Sequence, residues 1–188
     1  MKYFSKITFL LTFLFVSHFA FPSNSQNVDK MIDDFTEHPE RRWQFYTDQV
    51  MGGISEVNFL EREENGLSHY HMEGNVSTEN NGGFIQFRAN VKIEDLPYKG
   101  LKIKTRGNGE EYFIHIRTPK TRLPWNYYAS SFTASSEWES IKVPFDSFKK
   151  SGLILPRKFK ASDIKSIGIV AFGKDFYADI DLASIELY

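Results

Sequence analysis

The chain has no cysteine, and that absence excludes disulfide staples, thiolate metal sites, a cysteine nucleophile and a lipidated N-terminal cysteine. A charge of one sign is missing too. Its 23 basic and 24 acidic side chains leave a net charge of −1, so nothing points to nucleic acid or anionic lipid as a partner. Neither a Walker motif nor a Gly-x-Gly-x-x-Gly fingerprint occurs, which leaves phosphate and dinucleotide cofactors without support. No serine sits in a Gly-x-Ser-x-Gly elbow, since Gly53-Ile54-Ser55 lacks the second glycine in register. No pair of acids stands out for glycoside hydrolysis. The sequence therefore predicts no catalytic residues, no cofactor and no enzyme.

Long apolar runs are scarce as well. The one that stands out, Ile7 to Phe21, follows Lys2 and Lys6 and precedes the small residues Ser23 and Ser25. It is shorter than the roughly 20 residues of a spanning helix and contains no arginine, so it reads as a secretory signal rather than a membrane anchor or mitochondrial presequence. Cleavage is expected between Ser25 and Gln26, with Ala20 as the rival site. Loss of Lys2 and Lys6, with no acid lost, shifts the net charge from −1 to −3. The expected organisation is a signal peptide over 1–25, a linker over 26–34 and one domain over 35–188. Export to the periplasm or secretion follows, with no stable membrane span after cleavage.

What is abundant is aromatic: 18 Phe, 9 Tyr and 3 Trp, enough to stabilise an exported core without disulfides. Short segments of strand length alternate with Gly, Pro, Asn and Asp clusters, the pattern of an all-β sandwich. Period-two alternation sets Leu101 and Ile103 opposite Lys102, Lys104 and Arg106, and Tyr112, Ile114 and Ile116 opposite Phe113, His115 and Arg117. The turn Gly107-Asn108-Gly109 predicts that these two segments form a hairpin. Further strands are expected near 54–61, 67–76, 83–91, 126–133, 138–143, 164–172 and 177–188. A long loop is expected over 144–156, with one helical turn over 146–150.

Two Gly-Gly motifs mark prescribed backbone geometry: Val50-Met51-Gly52-Gly53-Ile54-Ser55 and Asn80-Asn81-Gly82-Gly83-Phe84. Around them Asp48 and Arg88 are positioned to pair across adjacent strands and hold both turns in register. Alternatively, Asp48, Asn81 and Arg88 line a polar pocket against Trp43. A second candidate surface gathers Arg106, Arg117, Trp125, Tyr127 and Tyr128, a composition that suits protein hot spots and sugar stacking alike. An exposed patch of Arg106, Arg117 and Trp125 would favour a protein partner, whereas a concave groove of facing aromatic rings would favour a glycan. His69 and His71 share a strand face at the spacing of a metal pair, but a solvated strand face is the expected reading and no metal is predicted.

The order Trp43, Asp48 to Ser55, Gly74-Asn75-Val76-Ser77, Asn80 to Phe84 and Arg88 resembles the complex I intermediate-associated protein 30 family. So do Gly100-Leu101, Arg106 to Gly109, Tyr112, Trp125, Tyr128, Trp138 and Val143-Pro144-Phe145 downstream. The resemblance spans about residues 33–188 and implies a galactose-binding-domain-like jelly-roll β-sandwich without catalytic residues. Its motif positions fall on Asp48, Met51, Gly52, Gly53, Ser55, Asn81, Gly82, Gly83, Phe84 and Arg88. The family's namesake is an assembly chaperone of respiratory complex I. The resemblance thus implies a non-enzymatic chaperone or scaffold for protein partners, with a carbohydrate-binding module as the alternative.

Overall fold

A computed structural model describes residues 30–188, so the expected signal peptide lies outside the described residues. Twelve strands form two six-stranded sheets, and every pairing is antiparallel. The first sheet runs β3 (Asn58–Glu64), β4 (Leu67–Val76), β12 (Phe176–Leu187), β6 (Gly100–Gly107) and β9 (Glu139–Pro144), with β1 (Lys30–Asp33) also on β12. In the second the order is β10 (Lys149–Lys150), β8 (Tyr128–Thr133), β7 (Glu111–Arg117), β11 (Ser166–Phe172), β5 (Phe84–Asn90) and β2 (Trp43–Thr47). The sheets stack face to face as a jelly-roll β-sandwich.

Alternation decides which residues lie between the layers. Leu101 and Ile103 of β6 and Ile180, Leu182, Ile185 and Leu187 of β12 are buried against Ile85 and Phe87 of β5, Ile114 and Ile116 of β7, and Ile167 and Ile169 of β11. Each such side chain contributes about 1.5–3 kcal/mol by leaving water. Aromatic rings fill one end of the core, where Trp43 meets Phe87 edge-on at 5.3 Å and tilts over Phe35, also at 5.3 Å. The Trp43 indole N–H, buried with them, donates to Asp33 Oδ2 at 2.8 Å, and Arg42 donates to both oxygens of the same carboxylate. Asp33 belongs to β1, so the sandwich already includes Lys30, within the stretch 26–34 expected as a linker.

The expected hairpin over Gly107–Gly109 does not form. β6 lies in the first sheet and β7 in the second, and the turn carries the chain between layers. Its amides bond elsewhere: Gly107 N to Ser135 O, Asn108 N to Asp179 O, and Gly109 N to Ala134 O. The Tyr112 hydroxyl donates to Asn108 Oδ1 at 2.8 Å and accepts from Asp179 N at 2.8 Å, pinning the crossing. A glycine turn permits reversal in either geometry, and these partners choose the crossing.

Both Gly-Gly motifs converge on Asp48, which is fully buried in a short 3-10 turn after β2. Its carboxylate accepts from the amide and hydroxyl of Ser55 and from the amides of Gly83 and Phe84. A Cβ at Gly53 or at Gly82 would overlap that carboxylate, while Gly52 (φ 93°) and Gly83 (φ 117°) occupy positive φ. In each pair, then, one glycine admits the carboxylate and the other turns the chain. Burial pushes the Asp48 carboxyl up, but these donors outweigh it and hold it below the usual carboxylate range.

Asp48→Ala leaves those donors unsatisfied and should cost about 3 kcal/mol, lowering the melting temperature by about 6–12 °C in calorimetry. Arg88→Ala should leave it nearly unchanged. Equal losses in the two variants would contradict this account and favour the Asp48–Arg88 pair.

Candidate functional site

The outer face of the second sheet is concave. Alternation turns Phe84, Gln86 and Arg88 of β5 outward on one side and Phe113, His115 and Arg117 of β7 outward on the other. Between them β11 presents Gly168, in register with Arg88 on one edge and His115 on the other, and then Val170. Gly168 has no side chain, and Gln86 Oε1 and Arg88 Cβ lie 3.2 and 3.6 Å from where its Cβ would be, so Val170 and Phe172 supply the cleft's floor from β11. Tyr46 of β2, in register with Gln86, extends one wall. The loops held by Asp48 close one end with Val50, Met51, Asn81 and Gly82, and Pro124, Trp125 and Tyr127 form the opposite rim. The resulting cleft has a volume of about 440 Å³.

Flat rings and cations alternate around this cleft. The Arg88 guanidinium lies 4.4 Å over the Tyr46 ring, and the His115 ring stacks on Tyr127 at 4.0 Å and 13°. Arg117 donates from Nη2 to Leu123 O at 2.6 Å, bracing the loop that carries Trp125. Ser151 anchors the same loop by donating to Trp125 O and accepting from Tyr127 N. Trp125 itself stays 66% exposed. Burial, and then the Arg117 charge, push the His115 imidazole down to about 4, so the ring is neutral at pH 7. Burial, followed by the Arg88 charge, also lowers Arg117 from its ordinary value.

The structure divides the residues expected at a site. Asn81, Arg88 and Trp125 line the cleft, as do Arg117 and Tyr127. Met51, Gly82 and Phe84, expected only as motif residues, line it too. Asp48 does not, because its carboxylate is turned into the Gly-Gly loops, and Arg88 stacks on Tyr46 rather than pairing with it. Trp43 faces the core. Tyr128 is also buried, with its hydroxyl on Pro156 O at 3.0 Å, because it follows the outward Tyr127 by one strand position. Arg106 lies on the other sheet, so Arg106, Arg117 and Trp125 do not form one patch. Tyr46, Gln86, His115 and Phe172 were missed, although the alternation along β5 and β7 already separated Gln86 and His115 from the core.

On the outer face of the first sheet, His69 and His71 are not solvated as expected. They are 2% and 3% exposed, beneath Trp138, whose ring meets His69 edge-on at 5.3 Å and carries the Arg106 guanidinium at 4.7 Å. His71 Nδ1 lies 2.7 Å from Asp181 Oδ1, and Arg106 Nε donates to Asp181 Oδ2 at 2.7 Å. Burial pushes His71 down, but the Asp181 and Glu73 carboxylates outweigh it and raise its pKa. Among the described residues no group of three or more His, Asp or Glu side chains is arranged to hold a metal ion.

Two titrations follow. The His115 ring signals in NMR should stay those of neutral imidazole as pH falls, changing only near pH 4. The raised His71 contributes stability that is fully present below its ordinary value of 6.5 and is lost as pH rises through the higher folded value. Replacement by Gln should remove that component of the pH dependence, and an unchanged alkaline slope in calorimetry would contradict it.

Solved structures share this architecture. The family 11 carbohydrate-binding module from Clostridium thermocellum, in complex with a β-1,3-1,4-mixed-linked tetrasaccharide, superposes with a TM-score of 0.68 at 18% identity, covering 85% of this chain and 94% of that one. The family 30 module of a cellulosomal cellulase of the same organism gives 0.58 at 14% identity, over 86% and 97%. An agarase gives 0.57 at 12% identity, over 85% of this chain and 24% of its own. At such identities the likeness is one of fold. No curated protein sequence matches the chain. The sequence model of Complex I intermediate-associated protein 30 matches residues 33–182, most of the described chain. With Asp48, Ser55 and both Gly-Gly pairs joined in one buried arrangement, the chain belongs to the complex I intermediate-associated protein 30 family.

Proposed function

We propose that this protein is a non-enzymatic binding module whose concave face holds a carbohydrate chain. The observation that carries this reading is the cleft itself: a trough over Val170 and Phe172, walled by Tyr46, Tyr127 and Trp125 and furnished with Gln86, Asn81 and two arginines. Sugar rings present an apolar face that stacks on flat aromatics and a hydroxyl edge that needs amide and guanidinium partners. The fold shared with carbohydrate-binding modules supports the same reading. So does the basic and apolar character of residues 1–25, which favours export to a glycan-rich compartment.

A second reading, a scaffold for a protein partner, is favoured by the family and by exposed Val50 and Met51 at the end wall. A glycan array distinguishes the two. Retention of one or more oligosaccharides, weakened about thirtyfold by Trp125→Ala through loss of about 2 kcal/mol at a stacking anchor, supports the carbohydrate reading. Absence of glycan retention, with capture of a protein partner blocked by Met51→Glu, would overturn it.

A further inference from the structure

Charge in the concave cleft is one-sided. Arg88 and Arg117 both line it, and among the described residues no aspartate or glutamate does. Two arginines elsewhere are held by carboxylates, Arg42 by Asp33 and Arg106 by Asp181 and Glu64, while Arg62, Arg122 and Arg157 lie outside the cleft. Among the described residues the ion pairs include neither cleft arginine. Arg117 commits one N–H to the Leu123 carbonyl. Arg88 is oriented by the Tyr46 face, a contact that uses the plane of the guanidinium and leaves its N–H edge for other partners. Burial, and then the nearby Arg88 charge, lower Arg117 from its ordinary value. His115 adds no third charge at pH 7 and contributes a neutral ring beside the trough.

We propose that the cleft selects an acidic glycan, a chain of uronate residues, with Arg88 and Arg117 binding the carboxylate and Trp125 and Tyr127 flanking the sugar rings. The proposal rests on the carbohydrate reading and narrows it. A uronate carboxylate replaces the exocyclic hydroxymethyl of a hexose, so the ring gains an acid with almost no added length. Its planar oxygens match the fork of a guanidinium. A sulfate ester carries its charge farther from the ring and presents tetrahedral rather than planar oxygens to the guanidinium fork.

Isothermal titration of the protein tests this with galacturonate and mannuronate tetramers, their neutral methyl esters, a sulfated tetrasaccharide and a neutral mixed-linkage glucan tetramer. A uronate tetramer should bind at least about tenfold tighter than its ester at about 0.01 M ionic strength, with a smaller preference at about 0.15 M. The preference should vanish in an Arg88→Gln/Arg117→Gln double variant whose melting temperature is retained. Arg88→Lys, which keeps the charge and loses the fork, should show an intermediate preference. Equal binding of acids and esters, or binding of the glucan alone, overturns the acidic selectivity while the carbohydrate reading stands. Preference for the sulfated chain overturns the carboxylate assignment. Binding of none overturns both.

Discussion

A single buried carboxylate, Asp48, joins the two loops that close one end of the concave face. It accepts hydrogen bonds from Ser55 on one loop and from Gly83 and Phe84 on the other, segments separated by the whole of β3 and β4. An ionised carboxylate so far from water is stable only when its oxygens are met by donors at fixed positions. Meeting them requires backbone closer than a Cβ allows, hence Gly53 and Gly82, and turns at positive φ, hence Gly52 and Gly83. The consequence reaches the cleft directly, because Val50, Met51, Asn81 and Gly82 are carried by these same loops. Asp48 therefore shapes a site it does not touch.

The two outer faces of the sandwich handle charge in opposite ways. On the first sheet Asp181 lies between His71 and Arg106, with Trp138 laid over the guanidinium, so charge is matched within the protein and His71 and Asp181 are buried. On the second sheet Arg88 and Arg117 face a trough without an acid, while His115 remains neutral beside them. Internal compensation stabilises the first face. Its absence on the second leaves binding capacity, because only uncommitted donors can recognise something else.

Much of the fold was legible in the sequence, since alternation is a local signal. Nine strand positions follow from it, including the inward Leu101 and Ile103 and the outward His115 and Arg117. The short β1, β2 and β10 carry too few alternating residues to stand out. The crossing at Gly107–Gly109 was misread because a turn's residues specify a reversal, whereas the partners Ser135, Ala134 and Asp179 specify the sheet. The glycine pairs identified the right loops but not the direction of Asp48, since opposite charges suggest pairing with Arg88 and only burial shows otherwise. His69 and His71 were read as solvated because Trp138 and Arg106, which cover them, are distant in the chain. Trp125 was legible through its company of Arg117 and Tyr127, a composition typical of binding surfaces. The cleft was not, because its lining is assembled from β2, β5, β7, β11 and loops that are distant in the chain.

Carbohydrate binding is proposed for the concave face of the second sheet. Chemical-shift mapping by NMR with a bound oligosaccharide tests it directly. The largest shifts are expected at the Trp125 indole and at the backbone amides of Arg88, His115 and Gly168, with the His71–Asp181 face unmoved. Shifts confined to the first sheet's outer face, with the cleft silent, would contradict it.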